Sequence, residues 1–289
     1  TLPVTYKTIP GPSLTLTEST IFAGTDVKKG VSMQIESVRG VHEVVIYRIE
    51  NGSEVEALRE TRSGEHTLNY APEIDFTEAT SKLKVVVSDG REGKEATGYV
   101  KAYVNMDVAT LNVGSQPLAN NAHEKYPDAF GMVSLNDLKT YPVDYAIANE
   151  ANAKNIDFKF YCFGAAGSPR LYSMDNTGKD SEFSGSTGKL SAIKVKNLTR
   201  FAILSNFDYE NATVTSISSE ILSSSITQSL LDPIAVGNII AFRTGGSSAA
   251  GGGRIGVMKV INITEPKDLV SSNATARVMT VEIKFPQKK

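Results

Sequence analysis

One cysteine and no tryptophan occur in 289 residues, and the three histidines lie far apart, at positions 42, 66 and 123. A single thiol excludes an intrachain disulfide. Cys162 sits in the apolar run IDFKFYCFG, where an inert core thiol is expected rather than a nucleophile. It does not decide the compartment, because domains above ~100 residues bury a real core without disulfides. Scattered histidines argue against a His-based metal centre. His42-Glu43 begins like H-E-x-x-H, but Ile46 stands where the second imidazole belongs, and Pro127 follows His123 at the same spacing. The same scarcity, with no G-x-S-x-G elbow, argues against Ser-His-Asp chemistry. No run approaches the ~18 apolar residues of a membrane-spanning helix. Neither sign of charge dominates: 30 basic and 32 acidic residues are well mixed, and the net charge is −2. Nucleic-acid binding needs a concentrated basic face, so no nucleic-acid partner is expected.

What is present reads as a globular chain of about two domains. Residues 1 to 105 offer short strand candidates: LPVTYKT, SLTLTEST, VSMQIES, VHEVVIYRI, EHTLNYA, KLKVVVSD and TGYVKAYV. SLTLTEST alternates polar and apolar residues, as a half-buried strand does. In HEVVIYRI, Val45 and Tyr47 fall on one face and Val44, Ile46 and Arg48 on the other; both are mainly apolar at the centre, so cover on both sides is expected. Between the strands, KKG, ENGS, RSGE and SDGREG supply the left-handed backbone angles of tight turns. Such spacing predicts an antiparallel sandwich.

After Val104 the pattern changes, which places a domain boundary near 105. The second domain, 106–289, opens on a polar stretch holding a brief strand candidate, VATLNV. AFGMVSL then reads as a strand and TYPVDYAIANEANAKN as a helix. Pro142 suits a first turn, and Val143, Ile147 and Ala151 line one face. IDFKFYCF follows as a strand with Ile156, Phe158, Phe160 and Cys162 facing one way. Strand-helix-strand order permits a parallel pair. RFAILSNF reads as a strand, TSISSEILSSSITQSLLDPI fits a helix loosely, and VGNIIAFRT, RIGVMKVINIT and ARVMTVEIKF close the chain as strands. The fold class expected is therefore mainly β with some α: an immunoglobulin-like β-sandwich over 1–105, then an α+β, β-rich domain.

The stretch GGSSAAGGG, 245–253, invites a phosphate-binding reading. Gly246 and Gly251 have P-loop spacing, but Gly252 stands where Lys is required, and strand-like RIGVMKVINI follows instead of a helix. It reads as a flexible tip joining two antiparallel strands, with a mobile binding loop as the alternative. DNTGKDSEF, 175–183, gathers oxygen ligands of the kind calcium takes: Asp175, Asp180 and Glu182. It does not fit the EF-hand template, and a solvated turn is the plain alternative. Tyr161, Phe163 and Tyr172 lie near it. With Asp175 and Asn176 they would suit a sugar, its ring face stacked and its hydroxyls hydrogen-bonded; packing in the core is the competing reading. No catalytic residue is assigned. A carboxylate pair could serve a glycoside hydrolase, but no spacing selects one.

The run LKVVVSDGREGKEATGYVKAYV resembles the final hairpin of immunoglobulin- or PKD-like modules in bacterial surface proteins. FGMVSLNDLKTYPVDYAIANEANAKNIDFKFYCFG, TRFAILS, VGNIIAFRT…GRIGVMKVINI and VMTVEIKF, spanning about 128 to 285, resemble the C-terminal domains of surface lipoproteins of gut Bacteroidetes. The resemblance implies an exported, outer-membrane-anchored or secreted protein at the cell surface, reaching the membrane only through a lipid anchor outside this chain. A start at Thr1 rather than Met reads as a processed or trimmed form in the same sense. It implies adhesion or capture of a glycan or surface protein and defines no catalytic residues; apart from the calcium candidate at 175–183, the residues themselves suggest no cofactor. The sandwich would then serve as a spacer. A structural subunit of a surface assembly is the further alternative, and its mark would be an unpaired edge strand.

Overall fold

The structure, a computed structural model, describes residues 8–162, 167–265, 269 and 276–288. The chain divides into two compact units, one of Thr1–Met106 with Asn211–Ser216, the other of Asp107–Glu210 with Ile217–Lys289. Each is built mainly of strands, with few helices.

The first unit holds β1 (Ser13–Leu16), β2 (Thr20–Ala23), β3 (Lys29–Gly30), β4 (Met33–Glu36), β5 (Glu43–Glu50), β6 (Ser53–Thr61), β7 (Thr67–Tyr70), β8 (Glu73–Ile74), β9 (Thr80–Ser88) and β10 (Glu95–Val104). A three-stranded sheet, β1-β4-β7, faces a five-stranded one, β2-β10-β9-β5-β6; β3 and β8 form a small ribbon. The two sheets make a β-sandwich. Alternation does the sorting. Met33 and Ile35 from one sheet and Val44, Ile46, Leu83, Val85, Val87 and Val100 from the other share one core. The candidate strand over 2–8 lies outside the described residues apart from Thr8. Besides the short ribbon strands β3 and β8, two strands go unread in the sequence. β2 is only four residues long. β6, SEVEALRET, is charged because it is an edge, where charge blocks unwanted pairing. ENGS makes the β5–β6 hairpin through Asn51 and Gly52, at φ 50° and 82°, the two left-handed positions of its turn. The expected double cover of β5 holds only at its centre. Val45 is buried on the outer face, opposite Arg59 and Val86, but Tyr47 is half exposed.

The second unit holds β11 (Met106–Gly114), β12 (Met132–Ser134), β13 (Lys139–Tyr141), β14 (Phe158–Tyr161), β15 (Arg170–Ser173), β16 (Arg200–Leu204), β17 (Leu230–Leu231), β18 (Ile239–Arg243), β19 (Ile255–Ile263) and β20 (Val278–Pro286), with the short helices α1 (Val143–Ala148) and α2 (Glu150–Lys154). Another helix, α3 (Val214–Glu220), ends within the long stretch expected to be helical; a 3₁₀ turn and β17 take up the rest. Two five-stranded sheets, β11-β20-β19-β18-β16 and β13-β12-β14-β15-β17, enclose a core that includes Phe158, Phe160, Leu171, Phe242, Met258 and Val281. A second core, on the other side of β14 and β15, joins Tyr161, Tyr172, Phe183 and Leu190 to Val143 and Ala146 of α1.

Three expectations give way here. The single helix over 140–155 is two, because Asn149 is extended (φ −163°, ψ 171°) and its side chain caps α2 by accepting from Asn152 N at 2.9 Å. Ala151 is consequently exposed while Ala153 is buried. The strands flanking the helices, β12 and β14, pair antiparallel, not parallel. Ile156 packs in the second core, apart from Phe158, Phe160 and Cys162 in the first. The glycine-rich stretch does join antiparallel strands, β18 and β19, but it is no free tip. Ser248 and Ala250 are buried. Ser248 Oγ donates to Asp157 Oδ1 at 2.6 Å, Ser247 Oγ to Asn197 Oδ1 at 2.7 Å, and Ala249 N to the Lys154 carbonyl at 3.0 Å.

Candidate functional site

Of the residues singled out around 161–183, the two described aromatics meet in space, but inside the molecule. Tyr161 and Tyr172 are 1 % and 4 % exposed, so neither can offer a ring face to a sugar. They meet edge to face, 5.9 Å between centroids. Phe163 lies outside the described residues. Asn176 is half-buried; its side chain donates to Ser229 Oγ at 3.1 Å and its carbonyl accepts from Lys159 Nζ at 3.0 Å.

The acids proposed for calcium each hold a cation of the protein instead. Asp175 receives both arms of Arg200, at 2.9 and 2.8 Å. Burial pushes its carboxyl up, but Arg200 and Ser173 outweigh that and hold it below the usual range. Asp180 is buried and bonds both Lys159 and Lys196, the latter at 2.5 Å. Glu182 accepts from Lys179 Nζ and from Tyr161 Oη, both at 2.7 Å; these bonds overcome the upward push of burial. The three carboxylates thus point at separate partners. Among the described residues no group of three or more His, Cys, Asp or Glu stands where it could hold a metal ion. The missed residue is Lys159. β14 is covered on both faces, so this lysine is wholly buried; burial lowers its pKa, and Asp180 opposes that shift. Cys162 is buried as well. Its thiol donates to the Gly167 carbonyl at 3.2 Å, and burial raises its pKa, away from the thiolate that a nucleophile needs.

Exposed aromatic surface lies elsewhere, on the outer face of the five-stranded sheet of the first unit. Phe22 is 56 % exposed and Tyr99 58 %. Register places Tyr47 of β5, Lys84 of β9 and Tyr99 of β10 in one row across the sheet. Two residues along, Lys82 and Lys101 are directly opposite; two further, Tyr103, itself buried, faces the exposed Phe22 of β2, their rings 5.4 Å apart. The lysines lie over the rings: Lys84 5.6 Å from Tyr47, Lys82 5.8 Å from Tyr99, Lys101 5.3 Å from Tyr103. Lys84 also donates to Glu54 Oε1 at 2.8 Å, which holds its pKa above the usual value. At roughly 3.3 Å per residue, the side chains of positions 99 and 103 stand about 13 Å apart along β10. Reading position by position missed this face. Its one signal was the two-residue spacing of Tyr99, Lys101 and Tyr103; the pairing that brings Phe22, Tyr47 and the β9 lysines beside them is tertiary.

A cavity of about 540 Å³ lies beside β16 in the second unit, lined by residues including Ile203, Leu204, Phe207, Ile221 and Gln228. β16 ends its sheet. On its outer side Phe201 exchanges both backbone bonds with Gln228, at 2.8 and 3.1 Å. Successive residues alternate, so the peptide groups of Ile203 point the same outward way. Its side chain is 46 % exposed.

No protein-family model and no curated protein matches the chain. Among the described residues, no helix is long and apolar enough to cross a membrane.

Proposed function

We propose that this chain is a non-enzymatic binding protein of the cell surface that holds a glycan on the outer face of its first unit. One observation carries the reading: Phe22 and Tyr99 are large rings more than half exposed on a sheet face that also carries half-exposed Tyr47 and three lysines. Exposed rings are costly to leave in water and suit the apolar faces of sugars, while lysines donate to hydroxyl oxygens. The sandwich is then the reader and not the spacer. The resemblance of residues 128–285 to surface lipoproteins supports export, by a lipid anchor outside this chain or by secretion. The acids of 175–183 are engaged with lysine and arginine, so that stretch offers no acid–base pair for hydrolysis. A glycan array probed with the whole protein tests the reading. Binding that falls at least about tenfold in Tyr99→Ala would support it; uniformly blank spots would sink it.

The edge of β16 favours a second reading, attachment to a polypeptide that adds a strand beside Ile203, as a subunit of an assembly would. Sedimentation that shows a concentration-dependent dimer, abolished by Ile203→Lys, would support that reading; a monomer at all concentrations would count against self-assembly through this edge.

A further inference from the structure

Resting on the reading of β16 as an attachment edge, we infer that its partner is an extended polypeptide segment carrying an apolar residue and, two positions away, a lysine or arginine. The edge itself fits a strand. Phe201 is paired on its outer side by the bridge to Gln228. Followed backward from Gln228, the chain coils into a 3₁₀ turn, Ser223–Ser225, instead of running on beside Ile203. Among the described residues, no backbone group bonds the Ile203 N–H or carbonyl on that side. The cavity of about 540 Å³ is the space so left, lined by Ser225 and Gln228 as well as by Ile203 and Leu204. An edge of this kind is a template for another chain, whose backbone satisfies both groups of Ile203.

The lining sets which side chains suit the added strand. Ile203 shares the core face of its sheet with Phe201 and lies opposite Ile240, both buried, yet it is itself 46 % exposed. Phe207 and Ile221 line the same space, so an apolar side chain entering it removes apolar surface of both partners from water. Glu220 is the one charged residue of that lining among the described residues; it is exposed and pairs with no cation there. Residues two apart on a strand share a side, so a basic residue at that spacing from the apolar one also faces the cavity. A second copy of the chain is the competing occupant. Two-fold pairing repeats each residue, so it would bring a second Glu220 to the cleft and set like charges together. A basic segment avoids that.

Fluorescence anisotropy of three labelled threonine heptapeptides, titrated with the whole protein, tests the inference. One carries leucine at its third position and lysine at its fifth; the second has glutamate in place of the lysine, and the third serine in place of the leucine. The leucine–lysine peptide should bind about fivefold or more tighter than the glutamate peptide and about tenfold or more tighter than the serine peptide. Glu220→Gln should remove the first preference. Ile203→Pro deletes the outward N–H without touching a bond inside the sheet, and should weaken binding of all three. Glu220→Gln alters only an exposed side chain, so its arm stands even where proline unsettles the edge. Equal binding of the lysine and glutamate peptides would overturn the inference and leave strand addition standing. A preference that survives Glu220→Gln would overturn it as well. Peptides that all fail to bind, alongside a dimer that Ile203→Lys abolishes, would make a second copy the occupant. Peptides that all fail to bind a protein that is monomeric at all concentrations would end both the inference and the reading it rests on.

Discussion

Three buried ionisable side chains of the second unit, Asp157, Lys159 and Asp180, make predictions. Asp157 is wholly buried, accepting from Leu135 N at 2.8 Å and Ser248 Oγ at 2.6 Å. Burial drives its pKa up to about 7, against the two hydrogen bonds, which lower it. Folding therefore takes up a proton at any pH between the ordinary carboxylate range and about 7. Stability from this residue is full below about pH 4 and falls as pH rises through that window, by at most about 1.4 kcal/mol per unit. Asp157→Asn removes the charge and keeps one acceptor oxygen; its amide NH2 then faces Leu135 N or Ser248 Oγ, a fixed cost that does not vary with pH. Its melting temperature relative to the parent should rise from pH 5 to pH 8; parallel profiles would refute the assignment. Lys159 and Asp180 behave differently. Removing one partner strands the other in the interior, so Asp180→Asn should destabilise by about 3–5 kcal/mol in chemical denaturation. Lys159→Met should cost less, because Lys196 remains beside Asp180. Comparable losses would place the cost in packing rather than in an unpaired charge.

Elements succeed or fail by what covers them. β14 reads in the sequence as an alternating strand, yet every residue of it is buried, since one core lies on each face. Alternation reports which residues share a side, not whether the other side is wet, and that is why Tyr161 and Tyr172 could be mistaken for a binding surface. Asn149 shows the local version of the problem. Alanines on either side argue for one continuous helix, but a side chain that caps its own backbone ends one helix and starts another. Close approach is decisive in β19. A Cβ on Gly256 would stand 2.4 Å from Phe242 Cζ and 2.7 Å from Phe285 Cδ2. Gly256→Ala should accordingly destabilise by about 1–3 kcal/mol in urea; an unchanged midpoint would mean that the rings move aside freely. The docked 244–254 loop adds a test by hydrogen exchange. The Ala249 amide, bonded to Lys154, should be protected, whereas an unprotected amide would restore the picture of a loose tip.

At the scale of the whole molecule, the glycan reading predicts that stability and recognition fall on separate residues. Leu83 is fully buried in the core of the first unit, and Leu83→Ala should cost about 2–5 kcal/mol. Tyr99, exposed on the opposite face of the same sheet, should cost about 0.5 kcal/mol or less when changed to alanine, while glycan binding is lost. A Tyr99→Ala protein that melts far below the parent would make the ring structural and remove it from the site. The charge of the chain is balanced and dispersed, so any charge selectivity would have to come from local placement and not from a long-range field.

The β-rich class, the sandwich strands with their turn residues, and the closing antiparallel strands were decided by the sequence alone. Period-two alternation, Asn-Gly turns and scarce histidine or cysteine act within a few residues of one another. Tertiary structure decided which apolar faces met, and with them the site. Tyr161 and Tyr172 were withdrawn into a core by strands and loops distant in the chain, and Asp175, Asp180 and Glu182 were claimed by cations up to 25 positions away. Phe22, Tyr47, Lys82, Lys84, Tyr99 and Lys101 came onto one sheet face only when four strands settled into register. Pairing partners are chosen by the free energy of the whole core, and no local window contains that sum.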